Sequence, residues 1–210
     1  MRQFLQPLAD RPAQRVTRCV GGLALFGIGV ALQKEGQMGL APWDVFHEGF
    51  SQVLGWQFGR ALVLTSFLVL LLWIPLRQRP GIGTLLNAVE IGVVADIAIA
   101  VLPEPETLWV RIPFMLIGVL LVGIGSGFYI GAGLGPGPRD GLMTGLAARG
   151  MKVSRARTSV ELTVLLLGWI LGGSVGVGTL VFALSIGPIV ARTIPLLRLA
   201  PLDDAQPWGE

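Results

Sequence analysis

The chain has 210 residues, of which 52% are hydrophobic and 14% charged, whereas a soluble globular domain carries about 25% charged residues. A surface so short of charge excludes a soluble fold, and the apolar runs at 61–76, 81–102, 112–130 and 158–173 read as helices crossing a bilayer core that takes roughly 20 residues to span. The net charge of +3 implies no nucleic-acid partner, because the basic residues flank apolar runs, where membrane orientation places them.

Residues 1–18, "MRQFLQPLADRPAQRVTR", are too long and too mixed for the charged region of a signal peptide, and no small-residue cleavage pattern follows them. They read as an uncleaved cytoplasmic arm. A glycine-rich span is predicted over about 19–38. Its Cys19 is the single cysteine, which leaves no internal disulfide and no paired-cysteine metal site. The glycines of this span and of its later counterpart (Gly22, Gly27 and Gly29; Gly118, Gly123, Gly125 and Gly127) serve close helix approach.

A Gly/Pro break then opens "GLAPWDVFHEG" (39–49), followed by a short helix over about 43–54. Pro42 just before its start and Asp44 in its first turn suit a helix amino terminus. Asp44, His47 and Glu48 fall on one face and are a set that could hold a divalent metal. The second copy of the motif lacks this trio, so no metal is assigned; they read as cavity-lining polar groups, with His47 suited to handling a proton.

Spans follow at about 60–76 and 82–102. The second contains "LLNAVEIGVV", in which Asn87 and Glu90 lie one helical turn apart. An acid inside a span marks either a functional site or a packed polar pair. Asp96 lies further along, on another face. A further span at about 111–131 leads into "GAGLGPGPRDGLMTG" (131–145), where alternating glycines and two prolines unwind the backbone. A short helix over about 139–149 carries Arg139 and Asp140 at its start. Spans at about 156–173 and 177–197 complete the chain, with Glu161 one turn from Arg157 as a surface ion pair. Residues 198–210 form a cytoplasmic tail.

The chain repeats itself. Gly27, Gly29, Gly39, Pro42, Asp44 and Gly49 recur 96 positions later as Gly123, Gly125, Gly135, Pro138, Asp140 and Gly145. "GIGTLLNAVEIGVVAD" (81–96) likewise returns as "GVGTLVFALSIGPIVA" (176–191). Two units, 19–103 and 111–197, therefore each hold three spans and one short helix that does not cross. An odd number of crossings inserts the second unit upside down, an arrangement common among secondary transporters. The basic residues agree: with the amino terminus inside, twelve fall in cytoplasmic segments and three (Lys34, Arg60 and Arg111) in outer ones. The predicted fold is all-α, with six transmembrane helices as a 3+3 inverted repeat and two re-entrant short helices.

The segments "GLAPWDVFHEG", "GIGTLLNAVEIGVVAD" and "GLGPGPRDGLMTGL" resemble the YczE/YitT-like integral membrane proteins of bacteria, over about 20–197. Gly-x-x-Pro-Trp-Asp is the most telling element. The resemblance implies a bacterial inner membrane location and carries over no catalytic residue.

The function expected is a secondary transporter or exporter of a small polar solute, zwitterionic or charged, coupled to protons. The two broken segments converge near the midplane, so the substrate site is expected at Trp43, Asp44, His47, Asn87, Glu90, Arg139 and Asp140. Glu90, Asp44 and Asp140 are the proton-coupling candidates. Trp43 can stack on a ring or cation, and Arg139 can hold a carboxylate or phosphate. Capping alone is the plainer account of the two aspartates. The alternatives are a passive channel and a non-transporting accessory subunit. Two aspartates in a membrane also suit proteolysis by a shared proton, but their matching positions at helix starts argue against an enzyme. No cofactor and no nucleotide-binding loop is read; the partners are the solute and the lipid bilayer, with a homodimer left open.

Overall fold

The computed structural model describes residues 11–199 and is helical throughout these residues, with no strand among them. Eight helices follow in chain order: α1 Pro12–Gly36, α2 Pro42–Leu54, α3 Phe58–Leu76, α4 Ile82–Val101, α5 Leu108–Gly131, α6 Pro138–Ala147, α7 Val153–Ile170 and α8 Val177–Leu197. Five of them (α1, α3, α4, α5 and α8) are long and apolar enough to cross a membrane. The α7 helix carries Arg155, Arg157 and Glu161 in its first half and falls outside that group.

Helix α1 begins inside the 1–18 stretch expected to form an arm. Proline at N1 starts α1 at Pro12, because its fixed φ and missing N–H suit a first helical turn. Arg15 and Arg18 then turn inward: Arg15 donates to the Ala132 carbonyl at 2.9 Å and Arg18 to the Leu197 carbonyl at 2.9 Å. Residues 1–10, and all of the predicted tail beyond 199, lie outside the described residues.

The core forms where α1 meets α5. A Cβ built on Gly22 would sit 2.8 Å from the Gly125 carbonyl oxygen, and one on Gly29 would sit 2.7 Å from that of Gly118. The order of these pairs makes the two helices antiparallel, and glycine lets their backbones touch. Around this crossing α4 packs on α1, and α8 packs on α5. Leu23, Val30, Ile91, Val122 and Tyr129 are buried in the resulting cluster. The apolar window of α1 is 56% buried and that of α8 only 6%, so α1 is interior while α8 turns most of its surface outward.

The short helices each pack on a long helix of the other half. Helix α2 lies on α7, and α6 lies on α3. Glycine provides the room from opposite sides: Gly168 of α7 abuts the backbone of Val45 and Phe46, whereas Gly141 of α6 abuts the Trp73 ring of α3. Within the first half, α3 and α4 meet through Gly59 and Gly92, and the Gly59 amide donates to the Asp96 carboxylate at 2.6 Å. Asp96 thus serves the amino terminus of a neighbouring helix, where a carboxylate is favoured by the dipole and the free amides.

Trp73 ties the two halves by donating its indole N–H to the Pro138 carbonyl at 3.0 Å, and it is 2% exposed. Trp73→Phe removes that donor from a buried site together with the outer ring of the indole that abuts Gly141. It should cost about 1–2 kcal/mol, read as a lower melting temperature in detergent; a melt identical to wild type would show that the bond contributes nothing net.

Candidate functional site

Both broken segments are shaped by a left-handed residue. Gly39 has φ +103° and Gly135 φ +116°, a region open to glycine and strained for side chains. Each turn is also too tight for a Cβ, which would sit 2.4 Å from the Gly176 amide nitrogen at Gly39 and 2.9 Å from the Thr84 hydroxyl at Gly135. The exposed backbone is satisfied by the start of a distant helix. Gly178 N–H donates to the Met38 carbonyl at 2.6 Å, and Gly83 N–H to the Leu134 carbonyl at 2.8 Å. Thr84 accepts from the Gly81 amide at 3.0 Å and donates to the Pro136 carbonyl at 2.7 Å.

Helices α2 and α6 then begin at Pro42 and Pro138, with Asp44 and Asp140 in their first turns. Neither helix start receives a side-chain capping hydrogen bond. The aspartates instead turn to side chains: Asp44 Oδ1 lies 3.1 Å from His47 Nδ1 and 3.9 Å from the Arg139 guanidinium. Asp140 accepts from the Tyr129 hydroxyl at 2.6 Å. Capping by hydrogen bond therefore does not account for either residue.

Arg139 and Trp43, which occupy matching positions in the two copies of the motif, come together. The guanidinium sits 5.7 Å from the Trp43 ring and 5.7 Å from the Phe26 ring, within reach of a cation–π attraction. They border a cavity of about 130 Å³ whose polar lining includes Trp43, Asn87, Ser126, Tyr129, Arg139 and Asp140. Arg157 and Glu161 of α7, paired at 3.0 Å as the i, i+4 spacing predicts, also border it.

Of the seven residues expected at a site, Trp43, Asn87, Arg139 and Asp140 line this cavity, and Asp44 touches it through Arg139. His47 lies one layer behind, 1% exposed and enclosed by the rings of Trp43, Phe46 and Phe58. Burial holds its imidazole below the usual histidine range, against the opposing pull of the Asp44 carboxylate. Its contact with Asp44 makes it a positioning group. Glu48 turns away to Lys34 Nζ at 2.9 Å and the Ser174 amide at 2.6 Å, so the Asp44–His47–Glu48 trio does not converge. Glu90 is half-buried on α4, beside Cys19, and does not line the cavity.

Tyr129, Phe26 and Ser126 are site residues that spacing did not single out. Tyr129 had a signal, since it is the one tyrosine of the chain and stands just before the broken segment. Phe26 and Ser126 look like ordinary span residues, and only the tertiary crossing brings them here.

A larger cavity of about 410 Å³ lies elsewhere, lined by Gln33, Lys34, Glu35, Glu48, Glu104 and Ser174. The bonds of Glu48 to Lys34 and Ser174 and the Gly178–Met38 bond lie on that side of the α2 start.

Residues 13–195 match the family of unknown function DUF6198. The chain is 38% identical over 184 residues to a protein of Bacillus subtilis called uncharacterized membrane protein YczE, covering 86% of each chain. It is 40% identical over 180 residues to an uncharacterized protein of Haemophilus influenzae, covering 85% of this chain and 83% of that one. A second Bacillus subtilis protein, the uncharacterized protein YyaS, is 26% identical over 184 residues, 84% of this chain and 90% of its own. No solved structure matches.

Proposed function

The chain belongs to the DUF6198 family and is similar over most of its length to the membrane protein YczE, and from that premise we propose that it is a secondary transporter of a small polar solute. The observation that carries the reading is the meeting of α2 and α6. Two short helices from different halves of the chain begin at one polar cavity, and at its border the Arg139 guanidinium lies 5.7 Å from the Trp43 ring. Broken helices converging on a midplane site are how many carriers hold solute.

The six-span inverted repeat belongs to this reading. It is supported by the antiparallel α1–α5 crossing, in which Gly22 and Gly29 have Gly118 and Gly125 as their counterparts 96 residues on. It is supported too by the reciprocal ties of each broken segment to the last helix of the other half. Helix α7 would then be the sixth span, its charged first turns lying at the cytoplasmic surface. Both termini would be cytoplasmic in a bacterial inner membrane, as the distribution of basic residues favours.

Counterflow tests the proposal. Proteoliposomes preloaded with a transported solute should accumulate the labelled form transiently against its gradient, as a carrier does and a channel does not. Simple equilibration without overshoot would replace the carrier by a passive channel. If no member of a broad panel of amino acids, organic acids, nucleobases and vitamins moves at all, the accessory-subunit reading takes its place.

A further inference from the structure

We infer that the central cavity recognises its solute by a carboxylate group, held by Arg139. The inference rests on the carrier reading for why a solute enters, but its evidence is the balance of donors and acceptors around the cavity. Arg139 presents five N–H donors in a planar fork, yet among the described residues it donates no hydrogen bond; its nearest acid, Asp44, is 3.9 Å away. The acceptors are better served, since Asp44 has His47 and Asp140 has Tyr129.

The surplus is therefore of donors, and what satisfies it is an acceptor. The Phe26 and Trp43 rings flank the guanidinium at 5.7 Å each, and its planar fork suits the two parallel bonds of an arginine–carboxylate pair. At about 130 Å³, the cavity has the volume of roughly four waters, so the acid is small. Asn87 and Asp140, which line the same cavity, offer acceptors to an amino or hydroxyl group on the same molecule. The class is a short amino acid or hydroxy acid.

The test titrates the purified protein in detergent with glycine, alanine, lactate and the two- to five-carbon monocarboxylates, following intrinsic fluorescence and melting temperature. Lactamide, alaninamide and inorganic phosphate are the comparisons. At least one acid should bind, with its amide weaker by about tenfold or more. Arg139→Gln should weaken the acid about 100-fold and Arg139→Lys about tenfold, because lysine keeps the charge and loses the fork. Arg139→Lys melting like wild type in the absence of ligand would show that weaker binding is not misfolding.

The proposal is overturned if the amides bind as well as the acids, if phosphate binds and no acid does, if no acid binds, or if Arg139→Gln binds like wild type. Acid binding without counterflow would remove the carrier and leave the carboxylate site standing. Counterflow of a cation or neutral solute without acid binding would do the reverse.

Discussion

Gly59→Ala should leave little folded protein, with a loss of about 3–5 kcal/mol. A Cβ at this position would lie 1.9 Å from the Gly92 carbonyl oxygen and 2.6 Å from the Asp96 carboxyl carbon. The first obstacle is backbone of a neighbouring helix, so no rotamer change relieves it. Separating α3 from α4 would in turn stretch the bond from the Gly59 amide to Asp96 and leave a carboxylate without its partner inside the fold. Gly21→Ala is the control, because nothing lies within 4 Å of a Cβ there and alanine favours helix by up to about 1 kcal/mol over glycine. Melting temperature and size-exclusion profile in detergent read both. If Gly59→Ala melts with Gly21→Ala, α3 and α4 do not pack as described.

Asp140→Asn should abolish the part of transport driven by a pH gradient, to below about a tenth of wild type, while counterflow persists. Three acids were candidates for carrying a proton, and their surroundings separate them. Asp44 already faces Arg139 and His47. Glu90 stands outside the cavity. Asp140 lines it and is met by a neutral hydroxyl, that of Tyr129, so its negative charge is the one not offset by an ion pair. The amide of asparagine still accepts from Tyr129, which protects the fold, but it cannot exchange a proton. Glu90→Gln should leave the gradient response intact. The opposite pattern, with Glu90→Gln inactive and Asp140→Asn normal, would move coupling from the cavity to α4.

The order and approximate extent of the helices were legible because hydropathy, proline starts and glycine breaks mark them locally. The pairing of Arg157 with Glu161 followed from spacing alone. The hydrogen bonds at the start of α1 did not, since the acceptors of Arg15 and Arg18 are backbone carbonyls 117 and 179 residues away. Asn87 and Glu90 share a face in the loose sense that three residues turn the helix to within about 60°. A cavity this small takes in one and not the other. Asp96 read as an acid that pairs with some neighbour, but its partner is a backbone amide, which leaves no trace in side-chain patterning. The repeat sets Trp43 and Arg139 at matching positions on either side of one site, but their direct approach was not legible, and Phe26 and Tyr129, which complete the enclosure, come from the helices before the two breaks.

The crossing of α1 and α5 bears on how the molecule can change shape. Backbone lies on backbone at Gly22–Gly125 and again at Gly29–Gly118, with no long side chains between them to adopt a second arrangement. Sliding there would drive Cα atoms into carbonyls. Any opening of the far side must therefore swing the outlying helices about this seam as a fulcrum, in the way a clothes-peg turns on its spring. Spin labels on α1 and α5 close to the seam would keep one distance in every state, and labels on α8, whose window is only 6% buried, would report the stroke.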